Sequence, residues 1–406
     1  MADLLSVADA LARVLADAKP LPAEQAALTD AHCRVLADDV AALRTQPPQD
    51  LSAMDGYAVR AASVVTVPAT LKVIGEVAAG HPFGGSVGGG EAARIFTGGV
   101  VPPGADTIVI QENTTRDGDT VVVTSGSPAG KHIRRAGLDF KQGAVLLAKG
   151  RRLTDRDLML AAAMNNPTLP VHRRPRVAVF GTGDELVPPG ATPGPGEIVY
   201  SNGFALMALA RSAGAEVIDL GIVPDKVDAT VAAIRKAREA KADVLLTSGG
   251  ASVGDHDLVQ KGLAAEGLAL SFWRIALRPG RPMMHGRLGG MQVLGVPGNP
   301  VSAFVCAVLF LVPLIRRLSG CADVEPRSES AKIGLDLPAN DERADYMRAT
   351  LSAGSDGTLV ATPIPVQDSS MMAALANADC LVIREPFAPA VKAGSDCAIL
   401  RLTPAF

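Results

Sequence analysis

The stretch of residues 243–257 combines residue types that bind phosphates and metal ions. Its first half is a short apolar run, which predicts a buried strand. Its second half, SGGASVGDHD, contains three glycines and two acids. Glycine lets backbone N–H groups approach a phosphate, and carboxylates can hold a metal ion or a hydroxyl group. The same residues also fit a tight strand-to-helix turn with solvated acids, and on their own they favour neither interpretation.

Three more loops of similar composition follow predicted strands. The strand predicted at 176–180 runs into GTGDEL, the one at 216–222 into VPDK, and the one at 292–295 into VPGNPVS. Because the carboxyl ends of parallel strands meet at one edge of a sheet, all four loops should converge there. We therefore expect a site for a phosphorylated ligand with a divalent cation, whose acids include Glu185 and Asp225.

Two further features could bind an anion. Arg278 and Arg281 flank a Pro-Gly pair, so a rigid turn presents two cations that suit an oxyanion or a phosphate. Pro300 suits the first turn of a helix, with Asn299 as its cap, and the free N–H groups near Ser302 could bind an anion. A solvated surface turn and an ordinary capped helix are the alternatives.

Three residues before the predicted parallel sheet, Asp55, Thr97 and Asp139, are weaker candidates for site residues. Asp55 lies in SAMDGYAVR at a loop-to-strand junction, and Thr97 ends a predicted strand before two glycines. Asp139 follows closely on the cationic run KHIRRAG. A turn aspartate and a solvated charged surface are the ordinary explanations of such features. From the residues alone, these explanations are the better supported.

The composition argues against several classes of protein. The net charge is −3, aromatic residues make up 3% of the chain and no basic stripe is present, so nucleic-acid binding is not expected. The five cysteines are dispersed without a CxxC pair, which indicates a reducing compartment and no structural zinc. The N-terminus lacks a basic signal-peptide region, and Pro313 interrupts the longest apolar run, 301–318. We expect a cytoplasmic protein that binds no membrane.

The order of predicted elements divides the chain into four domains. Helical spacing is predicted at 4–18, 23–43 and 152–164, and the first two helices should pack with the third. The expected fold is a multidomain α/β plus β protein, with a central doubly wound parallel domain, a helical linker platform and two small β domains. The expected boundaries are 1–45 with 140–175 for the linker domain, 46–139 for an inserted β domain, 176–327 for the α/β domain and 328–406 for a C-terminal β domain.

Seven motifs in a fixed order make the chain resemble a known family. They are SAMDGYAV (52–59), RIFTGGVVPPGADTIV (94–109), IRRAGLD (133–139), VAVFGTGDEL (177–186), LTSGGASVGDHD (246–257), LRPGRP (277–282) and VPGNPVSA (296–303). Together they resemble the bacterial MoeA family, which is also seen as the C-terminal domain of gephyrin and of its plant counterpart. The resemblance extends from the first helix to the last β domain.

The resemblance implies a molybdopterin molybdenumtransferase of molybdenum cofactor biosynthesis. Members of this family take adenylylated molybdopterin and molybdate, insert molybdenum and release AMP in a step that needs a divalent cation, normally Mg²⁺. They form homodimers, and the active cleft lies between the MogA-like, molybdopterin-binding α/β domain of one subunit and the inserted β domain of the other. A separate molybdopterin adenylyltransferase is a further expected partner.

The resemblance also implies roles for individual residues, carried over by motif position. The catalytic residues would be Asp55, Thr97, Asp139, Glu185, Asp225 and Asp257. The metal ligands would be Glu185, Asp225 and Asp257. The substrate-binding residues would be Gly249, Gly250, Ser252, Gly254, Pro297, Gly298, Asn299 and Pro300. The molybdate contacts would be Arg278, Arg281, Pro282, Ser302, Arg348 and Ser369.

The chain departs from the family pattern at several positions. Relatives commonly carry two lysines where this chain has Arg278 and Arg281, which keeps the charge but changes its geometry. A position that is usually lysine is Gln260 here, with Lys261 one residue later. A frequent glycine of the late loop is Ser370. Drift and a paralogue with altered ligand preference are the two explanations of these changes.

Three other functions share parts of the pattern. The adenylyltransferase that makes the adenylylated intermediate resembles residues 176–320, but it lacks the flanking domains. A catalytically dead, gephyrin-like scaffold should have lost acids such as Asp55 or Glu185, and both are present. Sequence does not separate a tungstate-using paralogue, because tungstate and molybdate have nearly the same size and charge.

Overall fold

The structure is a computed structural model that describes residues 4–250, 258–354 and 357–402. Its first segment contains one helix and short strands, namely α1 (Val7–Ala16), β1 (Ala23–Ala27), a 3₁₀ turn (Leu28–Asp30) and β2 (Val40–Ala41). Helix α1 is capped by Ser6, whose hydroxyl accepts the N–H of Asp9 at 3.0 Å. This bond satisfies one of the free donors of the first turn.

The helix predicted at 23–43 is wrong. Residues 23–27 form β1, which pairs antiparallel with residues 168–172. Ala, Glu and Gln favour a helix in isolation, but a strand partner far along the chain overrides this weak preference. The expected packing of α1 against the 152–164 helix is also wrong, since Ala10 and Val14 of α1 are buried in the core of the central domain.

The strands between Leu51 and Arg134 build a small β domain. Its elements are β3 (Leu51–Ser52), β4 (Gly56–Val59), a 3₁₀ turn (Ala61–Val64), β5 (Ala69–Val77), β6 (Glu91–Ile95), β7 (Thr107–Ile110), a 3₁₀ turn (Gln111–Asn113), β8 (Thr114–Asp117), β9 (Thr120–Val123) and β10 (Ile133–Arg134). The sheet order is β7-β4-β6-β5-β9-β8, and β3 pairs with β10 apart from it. Neighbouring residues of β4, Tyr57 and Ala58, lie in different apolar clusters, so both faces of the sheet are covered.

The chain then returns to its first segment. The returning elements are β11 (Val145–Leu147), α2 (Asp155–Ala163) and β12 (Thr168–His172). Strand β11 pairs with β2, and β12 pairs with β1. Helix α2 begins with a capping box in which Thr154 and Asp157 each bond to the other's backbone N–H. The unit that carries the β domain is therefore built from strand pairs and α2, and not from a platform of helices.

The central domain is an α/β sheet with helices on both faces. Its elements are β13 (Arg176–Thr182), β14 (Leu186–Val187), β15 (Ile198–Val199), α3 (Asn202–Ser212), β16 (Glu216–Val223), α4 (Val227–Glu239), β17 (Val244–Ser248), α5 (Leu258–Ala265), β18 (Ala269–Arg274), β19 (Leu277–Arg278), β20 (Pro282–Leu288), β21 (Met291–Val296), α6 (Pro300–Cys306), a π-helical turn (Ala307–Leu311) and α7 (Val312–Leu318). The sheet order is β16-β13-β17-β21-β20-β18, and its first four strands are parallel. The parallel βαβ core predicted from the Val, Ile and Leu runs is thus confirmed.

The two faces of this sheet have separate cores. Helices α3, α6 and α7 pack on one face together with α1, and α4 and α5 pack on the other. The segment Pro300–Leu318 is long and apolar enough to span a membrane, but 72% of its apolar window is buried within the protein. Packing on the sheet therefore accounts for its hydrophobicity.

The C-terminal domain is a second β domain, and its sheet includes one strand of the central domain. Its elements are β22 (Glu329–Ile333), β23 (Ala344–Ala353), β24 (Leu359–Pro363), α8 (Met372–Ala376), β25 (Cys380–Arg384) and β26 (Asp396–Arg401). Strand β19 of the central domain pairs in parallel with β23, so the two domains share a sheet. This shared strand fixes the C-terminal domain beside the β19–β20 turn.

Truncation of a buried aromatic residue in the α6–α7 core should destabilise the central domain. Phe310 is fully buried, so we expect Phe310→Ala to lower the free energy of unfolding by about 3–5 kcal/mol. Phe387 is 74% exposed, so Phe387→Ala should change it by less than about 0.5 kcal/mol. Urea unfolding followed by circular dichroism measures both variants, and equal effects would contradict the assignment of the core.

Candidate functional site

A cavity of about 780 Å³ lies at the carboxyl edge of the parallel sheet. The loops after β13, β16, β17 and β21 all contribute to its wall, as the convergence argument predicts. The predicted site residues that line it are Glu185, Asp225, Gly249, Gly250, Pro282, Pro297, Gly298, Asn299 and Pro300. Three predicted residues, Ser252, Gly254 and Asp257, lie outside the described residues.

The loop after β17 requires glycine where it meets β13. Gly249 has a φ of +91°, and a Cβ there would lie 2.6 Å from the carbonyl oxygen of Thr182. Its N–H donates to the carbonyl of Val296 at 3.2 Å, at the end of the neighbouring strand. Gly298 lies on the other side, where an added Cβ would be 3.8 Å from the Cα of Gly249. The Gly249 contact excludes any side chain at that position, whereas the distance at Gly298 is an ordinary van der Waals separation.

Carboxylates form one side of the cavity. The hydroxyl of Thr182 donates to the carboxylate of Asp225, and the N–H of Asp225 donates to Asp184 Oδ1 at 3.0 Å. The Glu185 carboxylate folds back over Gly183, where a Cβ would lie 2.5 Å from Glu185 Oε2. The two hydrogen bonds hold Asp225 in place, and carboxylate oxygens of Asp225 and Glu185 are left for a ligand or a cation.

A complete metal cluster is not formed within the described ranges. In these ranges, no group of three or more His, Cys, Asp or Glu side chains is arranged to hold a metal ion. Glu185 and Asp225 both line the cavity and supply hard oxygen donors, which suit Mg²⁺. The third predicted ligand, Asp257, is outside the described residues. The donors that are described therefore fit the ion in type, as two of the three expected carboxylates.

The C-terminal domain closes the cavity at the start of α6. The N–H of Val301 donates to the carbonyl of Ser369 at 3.0 Å, and Asn299 Nδ2 donates to Ser369 Oγ at 3.0 Å. Asn299 occupies the cap position of α6 as predicted, but its side chain makes no cap hydrogen bond within the helix. Ser370 and Met372 line the cavity next to it. One of the anion-binding N–H groups expected at this helix start is thus already paired.

Arg278 forms ion pairs with carboxylates of the C-terminal domain. Its guanidinium pairs with Asp341 at 2.9 Å and Asp345 at 2.6 Å, and it donates to the amide oxygen of Asn340 at 2.8 Å. The Arg343 hydrogen bond, together with the Arg278 charge, lowers the pKa of Asp341 to about 2. These bonds link the β19–β20 turn to the C-terminal domain, which a sequence reading of Arg278 as an oxyanion contact did not anticipate.

Two other predicted molybdate contacts differ in their surroundings. Arg348 is 2% exposed and donates to Gln367 Oε1 and to the carbonyls of Val366 and Met371, at 3.1–3.4 Å. Burial among these neutral acceptors lowers its pKa. Arg281 is exposed, and its guanidinium makes no hydrogen bond or ion pair with any residue that the structure describes. It is therefore available to an incoming anion.

The last two of the predicted molybdate contacts are serines at α6. Ser302 lies in the first turn of α6 and is 4% exposed. Ser369 is the residue that bonds to the start of that helix. Pro282 follows the β19–β20 turn and lines the cavity. Ser302 and Ser369 lie at the start of α6, on the other side of the region between the turn and the helix. Gly280 of the turn packs on the same helix, where a Cβ would lie 2.6 Å from Cys306 Sγ.

A second acidic site forms in the inserted β domain. The Asp55 carboxylate accepts both the N–H and the hydroxyl of Thr97 at 2.7 Å, and these two bonds lower the pKa of Asp55. The Arg94 guanidinium lies beside it, over the rings of Tyr57 and Phe96 at 5.2 and 4.8 Å. Asp55 and Thr97, which the sequence analysis names separately, are therefore bonded to each other within the β domain.

The structure does not bring the two acidic sites together within one chain. The cavity wall, as far as the chain is described, contains no residue of 46–139. Asp139 is exposed in the β domain, and its N–H donates to the carbonyl of Gln46. Asp55, Thr97 and Asp139 thus lie apart from Glu185 and Asp225.

Asn202 and Tyr200 belong to the cavity but were missed by sequence reasoning. Asn202 Nδ2 donates to Ser248 Oγ at 2.9 Å and to the carbonyl of Gly298 at 2.7 Å. The Tyr200 ring packs where a side chain at Gly203 would lie, and its burial raises its pKa to about 12. The available sequence signal was the Tyr-Ser-Asn run that follows the short β15 strand and leads into α3.

Known family models match the chain in three consecutive parts. Residues 5–165 match the MoeA N-terminal region (domain I and II), 178–317 match a probable molybdopterin binding domain, and 330–402 match the MoeA C-terminal region (domain IV). The three matches leave only short connecting segments uncovered.

Individual relatives match over nearly the whole length. The molybdopterin molybdenumtransferase of Haemophilus influenzae is 35% identical over 382 residues, which is 94% of each chain. Molybdopterin molybdenumtransferase 2 of Mycobacterium tuberculosis is 36% identical over 86% of this chain and 88% of its own. The solved structure of the molybdopterin biosynthesis MoeA protein of Pyrococcus horikoshii has a TM-score of 0.84 and 29% identity, covering 99% of this chain and all of that one.

Removal of the Thr97 hydroxyl should raise the pKa of Asp55. Thr97→Val keeps the backbone N–H but loses the hydroxyl donor, so the pKa should move towards the ordinary value without reaching it. The two bonds to charged Asp55 contribute to the stability of the fold at pH values above its ordinary pKa. This contribution to stability is lost as the pH falls through the lowered pKa. Carbon-13 NMR titration of the carboxyl groups measures the shift.

Asp368 provides the internal reference for this titration. Its pKa is lowered by a similar pair of bonds from the hydroxyl and N–H of Ser370. It should titrate identically in Thr97→Val and in the wild type. An Asp55 pKa that does not move in Thr97→Val would contradict the role of the hydroxyl bond.

Proposed function

The chain belongs to the MoeA family of molybdopterin molybdenumtransferases, and we propose that it inserts molybdenum from molybdate into adenylylated molybdopterin with release of AMP. The observation that carries this proposal is the cavity at the carboxyl edge of the sheet, where glycine loops face carboxylates. A phosphoanhydride ligand needs both features, since backbone N–H groups bind its oxygens and carboxylates hold its cation.

The residues of the cavity would have two roles, phosphate binding by the glycines and cation binding by the carboxylates. The backbones of Gly249, Gly250 and Gly298 line the cavity and carry no side chains, so they would allow phosphates to approach closely. Glu185 and Asp225, with Asp257 as the expected third ligand, would hold Mg²⁺, which neutralises charge on the phosphoanhydride when bound. The Thr182 hydroxyl orients the Asp225 carboxylate towards that task.

Molybdate would bind between the β19–β20 turn and α6. Arg281 is the exposed cation there, and Ser302 and Ser369 supply hydroxyl groups at the helix start. Direct contacts by Arg278 and Arg348 stay part of the proposal, but each guanidinium would first have to give up protein acceptors. Arg348 has only neutral hydrogen-bond partners and Asp368 as a nearby negative charge, so a tetrahedral dianion would add to the compensation of its buried charge.

A homodimer would bring the second acidic site to the cavity. Asp55 and Thr97 lie apart from the cavity of their own chain, so the inserted β domain of a second copy would have to supply them. The linker domain exposes Leu43, Val145 and Met159 by 53–73%, which is apolar surface that a subunit contact would bury. We place this dimer in the cytoplasm, where a molybdopterin adenylyltransferase would supply its substrate.

The reaction is tested by measuring AMP release from adenylylated molybdopterin with Mg²⁺ and either molybdate or tungstate. Wild-type protein should release AMP when molybdate is present, and Glu185→Gln and Asp225→Asn should each slow release at least about 100-fold. Glu239→Gln removes a comparable carboxylate at the exposed end of α4, so it should retain full activity. Absence of release from folded wild-type protein with either oxyanion would contradict the proposed function.

The shared cleft is tested by mixing inactive subunits. Asp55→Ala and Glu185→Ala should each be inactive, and an equal mixture should recover about a quarter of wild-type activity, because half of its dimers are mixed and each of these has one intact site. Asp55→Ala mixed with Asp139→Ala should recover none, since both lie in the same β domain. Equal recovery from both mixtures, or none from the first, would contradict a cleft shared in this way.

A further inference from the structure

One amide group joins the two glycine loops of the cavity. Asn202 is the first residue of α3, and its Nδ2 donates to Ser248 Oγ at the end of β17 and to the Gly298 carbonyl between β21 and α6. The distances are 2.9 and 2.7 Å. Asn202 therefore connects three elements that are far apart in the sequence, at the edge where the cavity opens.

The Gly298 bond fixes which way the amide faces. A carbonyl oxygen only accepts hydrogen bonds, so the atom of Asn202 that faces it must be the NH₂ group. The Oδ1 oxygen then lies on the other side of the planar amide. It accepts no hydrogen bond from the described residues, although Asn202 is half-buried and lines the cavity. An accessible acceptor is thus held in a fixed orientation.

The surroundings of Asn202 restrict its movement. The Tyr200 ring lies against Gly203, where a Cβ would be 2.0 Å from the tyrosine oxygen, so the backbone beside Asn202 packs directly on a buried aromatic residue. Ile198, Val199 and Met372 provide apolar wall along the same cavity. An apolar wall with one fixed acceptor suits a planar heterocycle that has an N–H donor at its edge.

We propose that Asn202 positions the two glycine loops and accepts a hydrogen bond from the exocyclic amino group of a heterocycle of the substrate. The ligand class is an amino-substituted pterin or purine, and both rings occur in adenylylated molybdopterin. This inference rests on the proposed function, which it extends from the phosphates to recognition of a ring. Asn202 is a positioning residue for the loops and a binding residue for the ring.

The binding role is tested with two pairs of probes by isothermal titration calorimetry. AMP is compared with purine riboside 5′-monophosphate, which lacks the amino group, and pterin-6-carboxylate with lumazine-6-carboxylate, which has an oxo group in its place. Wild-type protein should prefer the amino compound of one pair by about 10-fold or more, and Asn202→Ala should bind both members of that pair equally. The pair that loses its preference identifies the ring that lies against Asn202.

The control is Asn113→Asp, which changes an asparagine in the inserted β domain and should leave both preferences unchanged. In AMP release, Asn202→Ala should raise the KM for adenylylated molybdopterin about 10-fold or more, with a smaller change in kcat. Lack of any preference in wild-type protein, or a preference that survives in folded Asn202→Ala, would overturn the inference. Failure of the proposed function would instead appear as no AMP release by wild-type protein.

Discussion

The close approach of two backbones at the end of the parallel sheet is the constraint on which the site depends. Gly249 meets the carbonyl of Thr182 at a distance that excludes any side chain, and its φ of +91° suits glycine. This contact holds the β17 loop against β13, and the Asn202 amide then ties it to the loop at Gly298. Because these loops are fixed, the acids at Glu185 and Asp225 face a formed cavity.

The C-terminal domain is part of this site. Strand β19 of the central domain joins its sheet, and the ion pairs of Arg278 with Asp341 and Asp345 reinforce that connection. Buried Arg348 bonds to both ends of the loop that carries Ser369 to the start of α6. A cation that is committed to protein acceptors can still set the shape of an anion site, because it fixes the residues that face the anion.

Much of the fold follows from the sequence, and the failures have physical causes. The strands of the central sheet are continuous apolar runs, and the convergence of their loops follows from parallel topology, so Glu185, Asp225 and the glycines could be predicted. The strand at 23–27 was missed, since its partner lies far along the chain, with Ala23 paired to His172 and Ala27 to Thr168. The ion pairs of Arg278 and the bonds of Asn202 were missed for the same reason, because each joins residues that only the tertiary structure brings together.

A crystal structure of the protein with AMP and Mg²⁺ tests the proposed site most directly. The AMP phosphate should lie within hydrogen-bond distance of the backbone at 249–250 or 297–299, with the ion bound by Glu185 or Asp225. AMP and Mg²⁺ bound at another surface, with the cavity at the carboxyl edge left to solvent, would contradict it.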